Sequence, residues 1–142
     1  MPLLLDSVDG IIGALYAAIS GPAGARDWDR FRDLFAPGAR LVPTSRDGQK
    51  IVGTVLDVEG FIARATLAVA SQGFYEQELT RREERYGPIV HVWSSYACRH
   101  ALSDPEPFVR GVNSIQLVHD GIRFRLLTIF WADERIAGVP VT

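Results

Sequence analysis

The chain has 142 residues, 47% of them apolar and 23% charged, with a formal net charge of −2. That length suits one domain, here expected to span residues 1–142, and the apolar share is enough for one real core. The small negative charge excludes a basic field that would attract nucleic acid or acidic lipid, so neither partner is expected. No stretch approaches the roughly 18 apolar residues that a spanning helix needs.

Cys98 is the single cysteine, so no intramolecular disulfide forms. It lies in an alternating apolar pattern and reads as a buried structural thiol, which fits a reducing, cytoplasmic setting. Leu3-Leu4-Leu5 followed by Ala17-Ala18 mimics a secretion signal, but Asp6 and Asp9 interrupt the run and no basic residue precedes it. The signal reading is rejected on that pattern.

Asp6 or Ser7 is placed to cap a first helix, along which Val8, Ile11, Ile12, Leu15 and Ile19 share one face until Gly21-Pro22 stops it. Asp27 caps a second, with Asp29 in its first turn and Trp28, Phe31, Leu34 and Phe35 as its apolar stripe; Pro37-Gly38 is expected to end it. Leu41-Val42 starts a short strand and Arg46-Asp47-Gly48 reads as a turn. A third helix opens at Asp57, turns Val58, Phe61, Ile62, Ala65 and Val69 inward, and is closed by Gly73.

The period then changes from helical to two. Four strands follow: Phe74 to Arg85, Ile89 to Ala101, Val109 to His119 and Ile122 to Asp133. Tyr86-Gly87-Pro88 and Asp120-Gly121 are the tight turns, and the prolines at 105 and 107 bar a strand between the second and third. Arg81, Arg82 and Arg85, interleaved with Glu83 and Glu84, read as a solvated strand end. Helices first and an antiparallel meander afterwards is an α+β order.

The segment Asp27-Trp28-Asp29-Arg30-Phe31-Arg32-Asp33-Leu34-Phe35-Ala36-Pro37 resembles the second-helix signature of the nuclear transport factor 2-like superfamily. The stretches Gly111 to Leu117, Asp120-Gly121 and Ile129-Phe130-Trp131-Ala132-Asp133-Glu134 resemble the last two strands of its SnoaL-like bacterial domains of undefined function. The resemblance covers roughly residues 6–134 in element order. It implies a cone: a strongly curved antiparallel sheet wrapped on three N-terminal helices, a cystatin-like α+β barrel with a pocket on its concave face. It also implies a homodimer through the convex face of the sheet. Fold alone leaves function open.

Ketosteroid isomerase is a well-understood relative of that superfamily, and its catalytic pattern is broken here. Pro43 stands where its carboxylate base is expected, Leu15 at the position of its helix tyrosine with Tyr16 one residue off, and Asn113 at the position of its oxyanion acid.

By analogy with family strands, His91, Trp93, Ser95, Ala97 and Arg99 face inward on the second long strand; a one-residue slip would bring Val90, Val92, Ser94, Tyr96, Cys98 and His100 inward instead. On the last two strands Asn113, Ile115, Leu117, Leu127, Ile129 and Trp131 are expected inside. His91 is then the general-base candidate, against a hydrogen-bonded structural histidine. Glu78, Glu76 and Asp104 are the acidic candidates for proton transfer, and Asn113 is the residue to hold an oxyanion or to bond the backbone. Arg99 either clamps a ligand carboxylate or pairs with Glu76 or Glu78. Tyr16, Trp28, Phe61, Trp93, Ile115 and Trp131 are expected to wall the site, so an enclosed ligand is a small apolar or aromatic one. Outward Val92, Ser94 and Tyr96 would form the pairing patch.

No metal spacing, phosphate loop, Ser-His-Asp signature or dinucleotide fingerprint appears, so neither metal nor cofactor is expected. The reading is therefore a small-molecule-binding domain with a largely apolar pocket. The alternative is a cofactor-free isomerase, dehydratase or cyclase working through a pocket histidine or carboxylate.

Overall fold

A computed structural model describes residues 5–142; Leu3 and Leu4, from the apolar run weighed above, lie outside the described residues. Helix α1 spans Val8–Ile19, α2 Trp28–Arg32, α3 Val58–Ala68 and a short α4 Glu134–Ala137. Strands are β1 Phe35–Asp47, β2 Lys50–Gly53, β3 Tyr75–Tyr86, β4 Ile89–Arg99, β5 Val109–His119 and β6 Phe124–Asp133. They form one curved six-stranded sheet in the order β2-β1-β6-β5-β4-β3. No helix is long and apolar enough to cross a membrane among the described residues.

Ser7 caps α1 by accepting from the Gly10 amide, and Asp9 complements the dipole in its first turn. Ile11 and Ile12 are essentially inaccessible, each stabilising the helix seat by about 1.5–3 kcal/mol through burial. Between α1 and α2 the only ladder is a single bridge of Gly21 with Phe74 among the described residues, which leaves most carbonyls unserved. Arg26 takes over there, donating to the carbonyls of Ile19, Gly21, Pro22 and Gly24 at 2.7–3.2 Å.

Helix α2 is shorter than its apolar stripe suggests. It ends at Arg32, and Leu34 and Phe35 already lie against β6, the Leu126 amide donating to the Leu34 carbonyl. Pro37-Gly38 is therefore not a helix stop. It sits within β1, where pairing jumps from Phe35 opposite Leu126 to Arg40 opposite Thr128 and Gly38 has φ 78°. A proline without an N–H and a glycine at positive φ are what a strand interruption tolerates. The resulting β1 runs parallel to β6, so the sheet is mixed, not purely antiparallel as expected.

Gly73 also has another role. Helix α3 ends at Ala68, and a Cβ on Gly73 would meet the His100 carbonyl at 2.3 Å. The glycine permits close approach of two chains, not a helix cap.

The four long strands of the meander form as the alternation predicts, and β3 to β6 pair antiparallel in sequence. Two bulges bend them: pairing skips Leu79 on β3 and Leu127 on β6. The second corrects an expectation. Because Leu117 pairs with Leu126, Leu127 is turned out, 39% exposed, and Leu126 takes its inner place. Charged β3 is one sheet edge, and its Arg81 pairs with Asp9, Glu78 and Glu83, a solvated mixed run that blunts a free edge.

Gly111 lies directly across from Tyr96, whose ring covers it: a Cβ there would come within 2.4 Å of the Tyr96 hydroxyl and 2.6 Å of the Ala132 carbonyl. Gly111→Ala is expected to lower unfolding stability by about 1–3 kcal/mol, checked by urea denaturation followed by circular dichroism.

Candidate functional site

The register of β4 against β5 decides which side chains enter the cone. Val90 pairs with Leu117, Val92 with Ile115, Ser94 with Asn113 and Tyr96 with Gly111. Directly paired residues share a face, so inward Asn113 and Ile115 bring Val90, Val92, Ser94, Tyr96 and Cys98 inward with them. All five are buried. The inward assignment of His91, Trp93, Ser95, Ala97 and Arg99 is therefore corrected by one residue, and none of them lines the cavity.

His91 lies towards the outer side of the sheet. Its Nε2 is 2.9 Å from Ser114 Oγ, its Nδ1 is 3.6 Å from Glu84 Oε1, and its ring stands edge-on to Trp93, which is 41% exposed. This is the hydrogen-bonded structural histidine. The Ser–His–Glu order mimics a nucleophile relay, but β4 and β5 are interior strands whose amides are used in ladders on both sides, which leaves no oxyanion donors beside Ser114. Arg99 donates to the Asp104 carbonyl and to Gln77 Oε1, tying down the proline loop instead of clamping a ligand or pairing with Glu76 or Glu78.

A cavity of about 330 Å³ lies between the helices and the concave face. Trp28, Phe31, Phe61 and Trp131 supply its aromatic wall, Phe61 stacking on Phe31 and meeting Trp131 edge to face. Leu15 and Pro43, the two residues at expected catalytic positions of the isomerase pattern, both line it and offer no polar group for that chemistry. Of the expected wall, Trp28, Phe61 and Trp131 are in place. Ile115 and Tyr16 sit behind the lining in the core, and Trp93 lies outside.

Of the polar residues at this wall, Asn113 and Glu76 belong to one hydrogen-bonded chain with Tyr16 and Ser94. Tyr16 on α1 is 2.7 Å from Ser94 Oγ, and Ser94 donates to Glu78 Oε2. That donation commits the Ser94 proton, so Tyr16 is the donor in its bond to Ser94. Asn113 Nδ2 donates to the Tyr16 hydroxyl at 2.9 Å and to Glu76 Oε2 at 3.2 Å. Tyr16 therefore has no hydrogen left for a ligand, and burial and the nearby Glu76 hold its phenol protonated. Glu78, the expected acid, is held by Arg81 at 2.8 Å and faces this chain, not the cavity.

With Asp133 at the rim, Glu76 lines the cavity. Burial pushes its pKa up to about 7, against smaller opposing effects from the Asn113 and Cys98 hydrogen bonds. Asp104 instead accepts from the Ala101 amide within its own loop. Tyr96 also lines the cavity, its phenol raised by burial and then by Glu76, and its hydroxyl makes no hydrogen bond among the described residues. Asp133, held low first by Arg135, closes the rim as the cap of α4. The Cys98 thiol is buried and raised, the opposite of a nucleophile. No group of three potential ligands is placed to hold a metal ion among the described residues.

A curved sheet packed on N-terminal helices around such a cavity is the nuclear transport factor 2-like fold. Solved structures with this architecture are similar along nearly the whole chain. A nuclear transport factor 2-like protein of unknown function from Silicibacter pomeroyi aligns with TM-score 0.60 and 13% identity, over 89% of this chain and 92% of that one. A candidate ketosteroid isomerase from Shewanella frigidimarina aligns with TM-score 0.58 and 14% identity, over 91% and 98%. IdmH, a candidate polyketide cyclase from Streptomyces antibioticus, aligns with TM-score 0.53 and 19% identity, over 92% and 98%. No protein-family model matches the sequence, and no curated protein does.

The raised Glu76 has a measurable consequence. The folded protein holds this proton more tightly than the unfolded chain, so stability falls as pH rises from about 4.5 to about 7. Thermal melts at about pH 5 and pH 8 are expected to show a smaller alkaline loss for Glu76→Gln than for the wild type.

Proposed function

We propose that this chain is a SnoaL-like small-molecule-binding domain that encloses an apolar or aromatic ligand. The cavity of about 330 Å³, walled by Trp28, Phe61 and Trp131, carries the reading. An apolar chamber with a few convergent polar groups is the usual form of a ligand site. Ala65→Trp, projecting from α3 into this space, is expected to weaken binding of neutral aromatic probes such as tryptophol or 1-naphthol at least tenfold while the fold is retained. Fluorescence titration and circular dichroism read the two effects. If wild-type protein binds none of these probes, the reading fails.

A second reading is favoured by Glu76: a cofactor-free isomerase, dehydratase or cyclase in which this carboxyl moves the proton. A pKa near 7 suits an acid–base group at neutral pH. The similarity to a candidate isomerase and a candidate polyketide cyclase is in keeping with it. Glu76 replaces His91 and Glu78 in that role, and Asn113 keeps the position beside it.

The proposal includes a homodimer through the sheet, in a reducing cytoplasmic setting that the free Cys98 suits. The pairing surface is not Val92, Ser94 and Tyr96, which are buried, but the exposed Ile89, Trp93, Leu127 and Phe130. Trp93→Glu is expected to convert dimer to monomer in light scattering without lowering the melting temperature by more than a few degrees.

A further inference from the structure

Glu76 and Asn113 leave acceptor valences open at the polar end of the cavity. Glu76 receives only the Asn113 amide at 3.2 Å and the weak Cys98 thiol contact at 3.8 Å, and no Arg, Lys or His lies within ion-pair distance of it among the described residues. Both donor hydrogens of Asn113 are committed, to Tyr16 and to Glu76, so its Oδ1 is the remaining valence, and no group among the described residues donates to it. Asn113 is only 5% exposed and lines the cavity. Tyr96, equally buried, lies one step along the same face of β4 from Ser94, the residue paired with Asn113, and its oxygen is likewise without a partner. A half-buried carboxylate and a buried amide oxygen, both acceptors, therefore lie beside a phenol whose own proton is uncommitted. Of the arginines nearby, Arg81 is taken up by Glu78 and Arg135 by Asp133, while Arg64 borders the cavity from an exposed position on α3.

What satisfies the carboxylate and the amide oxygen at once is a group with several N–H donors and a positive charge, to which the Tyr96 oxygen can add a lone pair. We infer that the ligand of this pocket is an aromatic or apolar amine whose ammonium sits between Glu76, Asn113 and Tyr96 while its hydrocarbon body lies against Trp28, Phe61 and Trp131. The inference rests on the pocket reading above and adds the headgroup.

The charge on Glu76 ties binding to pH. Below its pKa of about 7 the carboxyl must shed a proton before it can face an ammonium, so binding strengthens as pH rises. The titratable groups that face Glu76 are Tyr16 from α1 and Tyr96 and Cys98 from β4, with Asp133 from β6 and Arg64 from α3 bordering the same cavity. The two phenols and the thiol are shifted upward and stay protonated; Asp133 is held ionised by Arg135. Glu76 is thus the group that titrates near neutrality.

The experiment compares three probes of one shape by isothermal titration: tryptamine, tryptophol and indole-3-propionate. Tryptamine is expected to bind at least tenfold tighter than tryptophol at pH 8, with indole-3-propionate weakest. Between pH 6 and pH 8 its affinity is expected to rise on the order of tenfold while that of tryptophol stays level. Titration at about pH 6.5 in two buffers of different ionisation enthalpy is expected to show proton release for tryptamine alone, a readout that needs no variant. Glu76→Gln is expected to erase the preference for tryptamine over tryptophol. Equal or tighter binding of tryptophol at pH 8, or no proton release with tryptamine, overturns the amine inference and leaves the pocket standing. Failure of all three probes to bind overturns the pocket reading and the inference with it.

Discussion

The pairing of Ser94 with Asn113 across β4 and β5 is the constraint on which the interior depends. It brings a serine and an asparagine to the same concave face, and both would be costly to bury alone. Tyr16 from α1 completes them, bonding Ser94 and accepting from Asn113, so the first helix is tied to the middle of the sheet by directional bonds as well as by apolar contact. Removing Tyr16 alone would leave Ser94 and Asn113 with an unmet bond each, which costs more than replacing all three by apolar groups. The chain of donors also has a direction. It runs from Asn113 through Tyr16 and Ser94 to Glu78, whose charge Arg81 neutralises at the sheet edge. Glu76 stands at the other end, with no such cation.

That asymmetry separates two glutamates that lie two residues apart on one strand. Glu78 is ion-paired and structural; Glu76 faces the cavity in an apolar setting. The same face of β3 thus supplies a locked carboxylate and an open one. Proton chemistry, or recognition of a positive group, is available only at the open one. Leu15 and Pro43, at the two positions where the isomerase resemblance expects polar catalytic groups, line the chamber and bring no such group to it.

Much of the fold was legible because strands β3 to β6 alternate cleanly and are bounded by Gly and Pro turns. Trp131 and Asn113 reach the cavity as that alternation implies, and Trp28 and Phe61 as the helical spacing of their apolar stripes implies. The face of β4 was not, although a signal was there: Val90, Val92, Tyr96 and Cys98 form the more apolar set, and His91, Trp93 and Arg99 the more polar one. Burial follows the apolar count, and an attractive histidine does not change it. The bulge at Leu127 had no such signal, since no glycine or proline marks it. Pro37-Gly38 misled in the other direction, because a helix stop and a strand interruption need the same two residues. Whether Glu76 or Glu78 is the open acid depends on where Arg81 falls after the bulge at Leu79, a register that spacing alone does not contain.

Arg26 carries a consequence for how this chain tolerates change. One guanidinium serves four carbonyls in the segment that joins α1 to α2, doing there the work that hydrogen-bond ladders do elsewhere. A lysine, with three donors on a point charge, cannot reproduce that planar fork. Inserting or deleting a residue between Gly21 and Ala25 would move the carbonyls out of its reach and shift Trp28 with them. The loop at residues 103–107, anchored mainly through Asp104, has far more room to vary in length. Lineage variation and engineered grafts should therefore collect at that far loop, while the first interhelical connection keeps its length.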